Sequence, residues 1–415
     1  MDITITPAKL CGKVKIPSSK SISHRALICA ALAEGKSTVK NISMSDDIRA
    51  TMDTLSALGA HFEISGCDVE VSGITSPSSS AVLDCCESGS TLRFMIPVAC
   101  ALGTNAEFTG KGRLPQRPIT IYTRELSKKG ISFDYSNTMP FTVSGKLQSG
   151  KYEIEGNVSS QFITGLLLAL PLCSGDSEIV LTSHLESEPY VDITVSCLGA
   201  FGIDIKKTEN GYFIKGNQTY KPACYSVEAD YSQAAFFIAA NVLGNSIEFE
   251  NLPDASLSAQ GDKKIIEIAE TICYNKKTGV FDPIMIDASD IPDLVPVLSV
   301  LCSLSGSITY ITNAERLKLK ESDRLESTAK MISDLGGKIK KEDSGLVISP
   351  VSCFKGGTVD SFNDHRIAMA AAIAATASKE KVIIKGFESI NKSYPDFLSD
   401  YKKLGGNVHN GIIMA

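Results

Sequence analysis

The stretch "SDDIRATMDTLSALGAHFEISGCDVEV", residues 45–71, decides the architecture. Ile48, Met52, Leu55 and Leu58 recur at three- and four-residue intervals, the apolar face of an α-helix. Gly59 then ends the helix, since a left-handed residue past the last turn costs least for glycine. Beyond it, apolar and polar residues alternate as in a strand pair. The same order of helix, glycine and strand pair returns at residues 119–135, 191–216, 328–350 and 398–410, with a degenerate copy, "IIEIAETICYNKKTGVF", at 265–281. The terminating glycines are expected at 59, 130, 199, 336 and 405, and the degenerate junction near 273.

A second series precedes the copies: "SKSISHRALICAALA" (19–33), "SGSTLRFMIPVACAL" (88–102), "SSQFITGLLLALPL" (159–172), "DYSQAAFFIAANVLG" (230–244), "IPDLVPVLSVLCSL" (291–304) and "NDHRIAMAAAIAATA" (363–377). Each opens with small or charged polar residues and continues apolar on nearly every side, the pattern of an interior helix. Six copies of buried helix, strand, amphipathic helix and strand pair, about 70 residues each, account for nearly all 415 residues. That period exceeds those of common solenoids, so an α/β fold of two similar domains with three repeats each is expected. The halves join near residues 224–230.

Composition narrows the function. The twelve cysteines are scattered without a C-x-x-C pair, which favours reduced, mostly buried thiols over disulfides or zinc. A net charge of −6 gives no support to a nucleic-acid partner, so any anion site is a local cluster of cations. No apolar run reaches membrane-spanning length, and "MDITITPAKL" lacks the layout of a signal peptide, so a cytoplasmic protein with no membrane partner is expected. There is no P-loop, no G-x-G-x-x-G opening a helix after a strand and no G-x-S-x-G, and the five histidines lack metal-ligand spacing. Neither a metal nor an organic cofactor is expected.

What does gather is a set of donors at the starts of the buried helices. A helix N-terminus offers unpaired N–H groups and a partial positive charge, which suit phosphate and carboxylate. Lys20, Ser21 and Arg25 belong to the first start, Ser90, Thr91 and Arg93 to the second, Ser159, Ser160 and Gln161 to the third, and His365 with Arg366 to the sixth. Any one is accounted for by a capping serine beside a solvated arginine. Four together point to a shared anionic ligand, because burying several cations without partners is costly. "LKLKESDRLE" adds Lys320 and Arg324, read as one helical face, with Glu321 beside them; "NKSYPDF" adds Lys392. Asp293 heads an apolar helix, where it is either an N-cap or a catalytic group.

Taken in order, "PSSKSISHRAL", "ESGSTLRFMIP", "GRLPQRPI", "SSQFITGLLLALP", "SEPYVDIT", "DIPDLVP", "LKESDRLE", "NDHRIAMA" and "NKSYPDF" resemble the enolpyruvylshikimate-phosphate synthase (3-phosphoshikimate 1-carboxyvinyltransferase) family from the first strand to the last. The resemblance implies an inside-out α/β barrel-like arrangement, buried helices surrounded by sheets, in two hinged domains with the ligand cleft between them. The expected domains are 19–226, and 1–18 with 227–415. It implies that Ser21, Arg25, Ser159, Ser160, Gln161, Ser187, Tyr190 and Lys320 hold the phosphate and ring hydroxyls of shikimate 3-phosphate. Phosphoenolpyruvate then lies against Lys20, Gly89, Arg113, Arg324, Arg366 and Lys392. Asp293 and Glu321 resemble the family's acid–base pair, with Asp293 also touching substrate and Lys20 close to the reacting centre.

The implied reaction adds the 5-hydroxyl of shikimate 3-phosphate to C2 of phosphoenolpyruvate and then eliminates phosphate, in a monomer acting on small molecules. Three positions depart from the commonest family pattern: "ESGST" replaces Asn-Ala-Gly-Thr, His24 replaces a frequent Asn, and Arg316 stands where an Asn often contacts ligand. Such changes bear on phosphoenolpyruvate mimics such as glyphosate. Two rival readings are an amino-sugar enolpyruvyl transferase of the same fold and a non-catalytic binder of phosphorylated metabolites. The first uses a cysteine acid in the loop matching "GKGRLPQRPI", which has none. The second gains nothing from carboxylates among its cations.

Overall fold

Two kinds of helix alternate along the chain in the computed structural model, which describes residues 1–411. One compact unit comprises Ser18–Glu228 and carries α1 (Lys20–Leu32), α2 (Asp46–Leu58), α3 (Gly89–Leu102), α4 (Thr120–Ser127), α5 (Ser160–Ala169) and α6 (Glu188–Ala200). The other comprises Met1–Pro17 with Ala229–Ala415 and carries α7 (Tyr231–Val242), α8 (Ile265–Thr278), α9 (Val295–Ser303), α10 (Arg324–Asp334), α11 (His365–Ala375) and α12 (Phe397–Lys403). The odd-numbered helices are interior: every residue of α11 is buried, as is α1 from Ile22 onward. Alanine, which has the highest helix propensity, fills α11 and lets its neighbours approach closely. None of the helices in the described residues is long and apolar enough to cross a membrane.

A close approach of this kind is visible where α3 meets α5. Pro97 lies inside α3 and has no N–H to give the carbonyl of Arg93 one turn back. Tyr122 of α4 supplies the missing donor, its hydroxyl lying 2.9 Å from the carbonyls of both Arg93 and Phe162. Only glycine fits at 165, because a Cβ there sits 2.4 Å from the Arg93 carbonyl and 2.3 Å from the Tyr122 oxygen. The second and third repeats are locked together through a backbone group that proline set free.

Five repeats place a four-stranded sheet outside the helices. In four of them the strand after the buried helix pairs in parallel with one neighbour and antiparallel with the near arm of the hairpin that follows the amphipathic helix; 224–226, 36–40, 68–72 and 61–65 are one such set, in that spatial order, and in the last repeat the N-terminal strand Ile3–Thr6 takes the place of the near arm, between Val382–Lys385 and Asn407–Asn410. The repeat built on α7 and α8 departs from the expected grammar. Among the described residues it has no hairpin, and its sheet is two parallel strands, Cys11–Val14 and Ser246–Phe249. An uncovered edge invites pairing with another chain, and here a side chain covers it. Ile247 donates its N–H to Asn241 Oδ1 and accepts from Asn241 Nδ2, both at 2.8 Å, as it would from an adjoining strand.

Two helix ends also lie elsewhere than expected. Gly199 is inside α6, which runs to Ala200 so that Phe201 can be fully buried; Gly202, at φ +80°, takes the left-handed position. The degenerate junction is at Gly279, a left-handed cap at φ +73°, and not near 273, because α8 continues through Thr278.

Candidate active site

The unit Ser18–Glu228 gathers the starts of α1, α3, α5 and α6. Ser19, Ser88 and Ser159 cap the first three, each oxygen accepting from a backbone N–H of the first turn. Lys20 pairs with Asp47 of α2 at 2.7 Å. Arg25 is 2% exposed, its guanidinium held by Thr194 Oγ1 (2.7 Å), Thr164 Oγ1 (3.3 Å) and the carbonyls of Ser21 (2.6 Å) and Tyr190 (3.0 Å). It lies over the Phe94 ring, 5.1 Å from the centroid. Burial pulls its pKa down to about 10, so it remains a cation at neutral pH. Gln161 ties α5 to α3, accepting from Arg93 Nη1 (2.7 Å) and donating to Ser90 Oγ (3.0 Å). Ser187, ahead of α6 and Tyr190, is held in the left-handed region at φ +57°, a strained conformation for a non-glycine residue.

The structure brings Arg117, not Arg113, to the start of α3. Arg113 is exposed and opens the short 3₁₀ turn Leu114–Gln116. That turn carries the chain back so that Arg117 is buried with its guanidinium against Gly89, where a Cβ placed on the glycine sits 2.5 Å from Arg117 Nη1 and 3.3 Å from Arg93 Nη1. Both arginines were present in "GRLPQRPI"; the signal separating them is the Leu-Pro turn, which reverses the chain between them.

The other unit holds a denser cluster. Asp293 Oδ1 accepts from Arg324 Nη1 at 2.8 Å and lies 3.5 Å from Lys320 Nζ, while Oδ2 accepts from Arg366 Nη2 at 2.7 Å. The cap position of α9 is Leu294, without a side-chain cap bond, so Asp293 faces cations instead of serving as that cap. Arg324, 1% exposed, also donates to Glu321 Oε2 (2.5 Å) and, through Nε, to Asp364 Oδ2 (2.8 Å). Asp364, fully buried, caps α11 by accepting from the Arg366 N–H at 3.0 Å. Arg366 reaches Ser232 Oγ of α7 (3.1 Å), and Lys392 donates to the carbonyl of Asn363 (2.6 Å). Arg316 donates to the carbonyl of Ser289.

Lys320 and Glu321 are not on a helix with Arg324. Asp323 caps α10, accepting from the Glu326 N–H at 3.1 Å, so the helix begins at Arg324, and Lys320 and Glu321 lie between it and the 3₁₀ segment Glu315–Leu319. The cluster's formal charges are four cations (Lys320, Arg324, Arg366, Lys392) against three carboxylates (Asp293, Glu321, Asp364). Desolvation pulls the Lys320 pKa down to about 8, opposed by the Asp293 carboxylate. Its side chain keeps 26% exposure, so it is desolvated by a polar wall and not by a sealed core.

Comparison with solved structures places this architecture in a known class. EPSP synthase from Acinetobacter baumannii superposes with a TM-score of 0.80 over 98% of this chain and 99% of that chain, at 23% identity, which defines the fold. The family model for EPSP synthase (3-phosphoshikimate 1-carboxyvinyltransferase) matches residues 5–401. Proteins named 3-phosphoshikimate 1-carboxyvinyltransferase from Clostridium beijerinckii and Clostridium perfringens are each 44% identical, covering 98% and 97% of this chain and 98% of each relative. The chain belongs to the EPSP synthase family.

Proposed function

We infer that the protein transfers the enolpyruvyl group of phosphoenolpyruvate to the 5-hydroxyl of shikimate 3-phosphate, releasing phosphate. The observation that carries this reading is a carboxylate, Asp293, set among Arg324, Arg366 and Lys320 with Glu321 on the same arginine. A site that only binds anions is weakened by such carboxylates; a site that must also move protons requires them.

In this reading Ser21, Arg25, Ser159, Ser160, Gln161, Ser187, Tyr190 and Lys320 hold shikimate 3-phosphate. Lys20, Gly89, Arg117, Arg324, Arg366 and Lys392 meet the phosphate and carboxylate of phosphoenolpyruvate, with Arg113 left at the surface. Asp293 accepts the proton of the 5-hydroxyl as its oxygen bonds to C2, and Glu321 gives a proton to C3. The tetrahedral adduct then loses phosphate from C2 and a proton from C3, regenerating the methylene as an enol ether. Lys20 lies close to the reacting carbon. The amino-sugar alternative lacks its acid, since the loop "GKGRLPQRPI" has no cysteine. Phosphate release from phosphoenolpyruvate should require shikimate 3-phosphate, and release with an amino-sugar nucleotide instead overturns the reading.

Gly89→Ala is expected to raise the KM for phosphoenolpyruvate about tenfold or more, since a misplacement near 1 Å at a binding group has effects of this order. The added methyl displaces the end of a flexible Arg117 side chain, so the thermal midpoint should stay within about 2 °C of the parent. Steady-state kinetics and a thermal melt check both; an unchanged KM contradicts the placement of Arg117.

Lys320 sets a pH dependence. Its folded pKa, about 8, lies below the ordinary 10.5, so the unfolded chain holds this proton more tightly. Folding releases it between those values, and this group's contribution to stability rises with pH across that window. Ligand binding runs the other way, because the cation that attracts an anion is lost as pH rises through about 8. The KM for shikimate 3-phosphate should climb from pH 8 to 10 in the parent and lose that rise in Lys320→Met; a flat parent profile contradicts it.

A further inference from the structure

His24 lies on α1 between Lys20 and Arg25 and is 1% exposed: its ring meets the edge of Phe94, centroids 6.4 Å apart, and its Nδ1 lies 2.7 Å from Thr51 Oγ1. Thr51 Oγ1 is 2.7 Å from Thr91 Oγ1, and Thr91 Oγ1 donates to Ser88 Oγ at 2.8 Å. Ser88 also accepts the Thr91 N–H, at 3.2 Å, as the N-cap of α3. Thr51 and Thr91 are fully buried and Ser88 is 1% exposed. Four side chains from α1, α2 and the head of α3 thus form one sealed chain that ends at the residue before Gly89.

The donor direction follows from counting hydrogens. A threonine hydroxyl has one. Thr91 spends its hydrogen on Ser88, so Thr51 must donate to Thr91, and Thr51 then has none left for His24. His24 therefore donates from Nδ1. Its Nε2 is buried without a hydrogen-bond partner among the described residues, so a second proton there has no acceptor. Burial, with Lys20 and Arg25 nearby, also holds the imidazole pKa well below its ordinary value.

We propose that His24, as the neutral Nδ1–H tautomer, is a positioning residue for the anion site at the start of α3: it orients Thr51, Thr91 and the Ser88 cap and so sets the Gly89 backbone against Arg117. The ligand served is phosphoenolpyruvate, a naming that rests on the function inferred above. In the same reading shikimate 3-phosphate is held through Ser21, Arg25, Lys320 and the starts of α5 and α6, and the Arg25 guanidinium is fixed by Thr164 and Thr194 and not by the chain's hydroxyls.

Thr51 touches no proposed ligand contact, so substitutions there test the chain alone. Thr51→Val removes the relay at nearly constant shape and should raise the KM for phosphoenolpyruvate about tenfold, the scale of one lost buried hydrogen bond, with the KM for shikimate 3-phosphate within about twofold of the parent. Thr51→Ser keeps the hydroxyl and should match the parent in both. A Thr51→Val enzyme unchanged for phosphoenolpyruvate, or altered equally for both substrates, overturns the proposal. Nitrogen-15 NMR of histidine-labelled parent protein gives a readout independent of turnover: His24, assigned by its loss in His24→Asn, should be neutral with Nδ1 protonated. An Nε2–H tautomer or an imidazolium at pH 7 overturns the proposal. A parent without turnover defeats the functional reading and leaves the tautomer still measurable.

Discussion

Glu321→Gln is expected to lower turnover by about a hundredfold or more, the scale of a general acid–base group, while leaving the affinity for shikimate 3-phosphate within about twofold. The geometry makes this substitution selective. Glu321 Oε2 accepts from Arg324 Nη2 at 2.5 Å, and the carbonyl oxygen of a glutamine can accept the same bond, so Arg324 keeps its place on Asp293 and Asp364. What is lost is the proton. Solvent deuterium should then stop entering the methylene carbon of phosphoenolpyruvate. Exchange at the parent rate in the variant means that Glu321 is not the carbon acid, and Lys20 takes its place as the candidate.

The second large effect is on the fold as well as the activity. Arg324→Met should destabilise the unit Met1–Pro17 with Ala229–Ala415 by about 3–5 kcal/mol, the usual cost of removing one partner from a buried ion pair, and abolish measurable turnover. Arg324 touches Asp293, Glu321 and Asp364 together, and Asp364 has no exposure through which water could replace it. Asp364 also caps α11 and accepts from Ser322 Oγ at 3.0 Å, so its misplacement reaches two helices. A chain of two units need not unfold as one, and hydrogen exchange resolves where stability is lost. Amides of α10 and α11 should exchange faster, with those of α1 to α6 unchanged. Unaltered protection in α10 and α11 contradicts the role given to Arg324.

Much of the fold was legible because its two helix types carry opposite patterns. In α2, Ile48, Met52, Leu55 and Leu58 mark one face; α11 is apolar throughout from Ile367 onward, the pattern of an interior helix. The donors of α1, α3 and α5 were legible for a related reason, since Lys20, Arg25, Arg93 and Gln161 are polar residues within the first turns of helices otherwise made for burial. What local pattern could not convey depends on partners distant in sequence. Two arginines of one loop differ only in which side of a 3₁₀ turn they leave, so facing Gly89 is a tertiary fact. The start of α10 has no sharp local signal, because "LKLKESDR" is helix-compatible throughout, whereas the Asp323 cap excludes Lys320 and Glu321 from the helix. The missing hairpin beside Ser246–Phe249 could be suspected from a degenerate repeat, but its replacement by the Asn241 side chain has no sequence signature.

The central claim is that one chain joins two particular substrates through a new carbon–oxygen bond. Incubating the protein with shikimate 3-phosphate and phosphoenolpyruvate labelled with carbon-13 at C2, and following the label by NMR, tests it directly. The account predicts that the label moves into an enol ether on the 5-oxygen of shikimate 3-phosphate, one phosphate being released for each ether formed. Label found only in pyruvate, or transferred to an amino-sugar nucleotide and not to shikimate 3-phosphate, would contradict it.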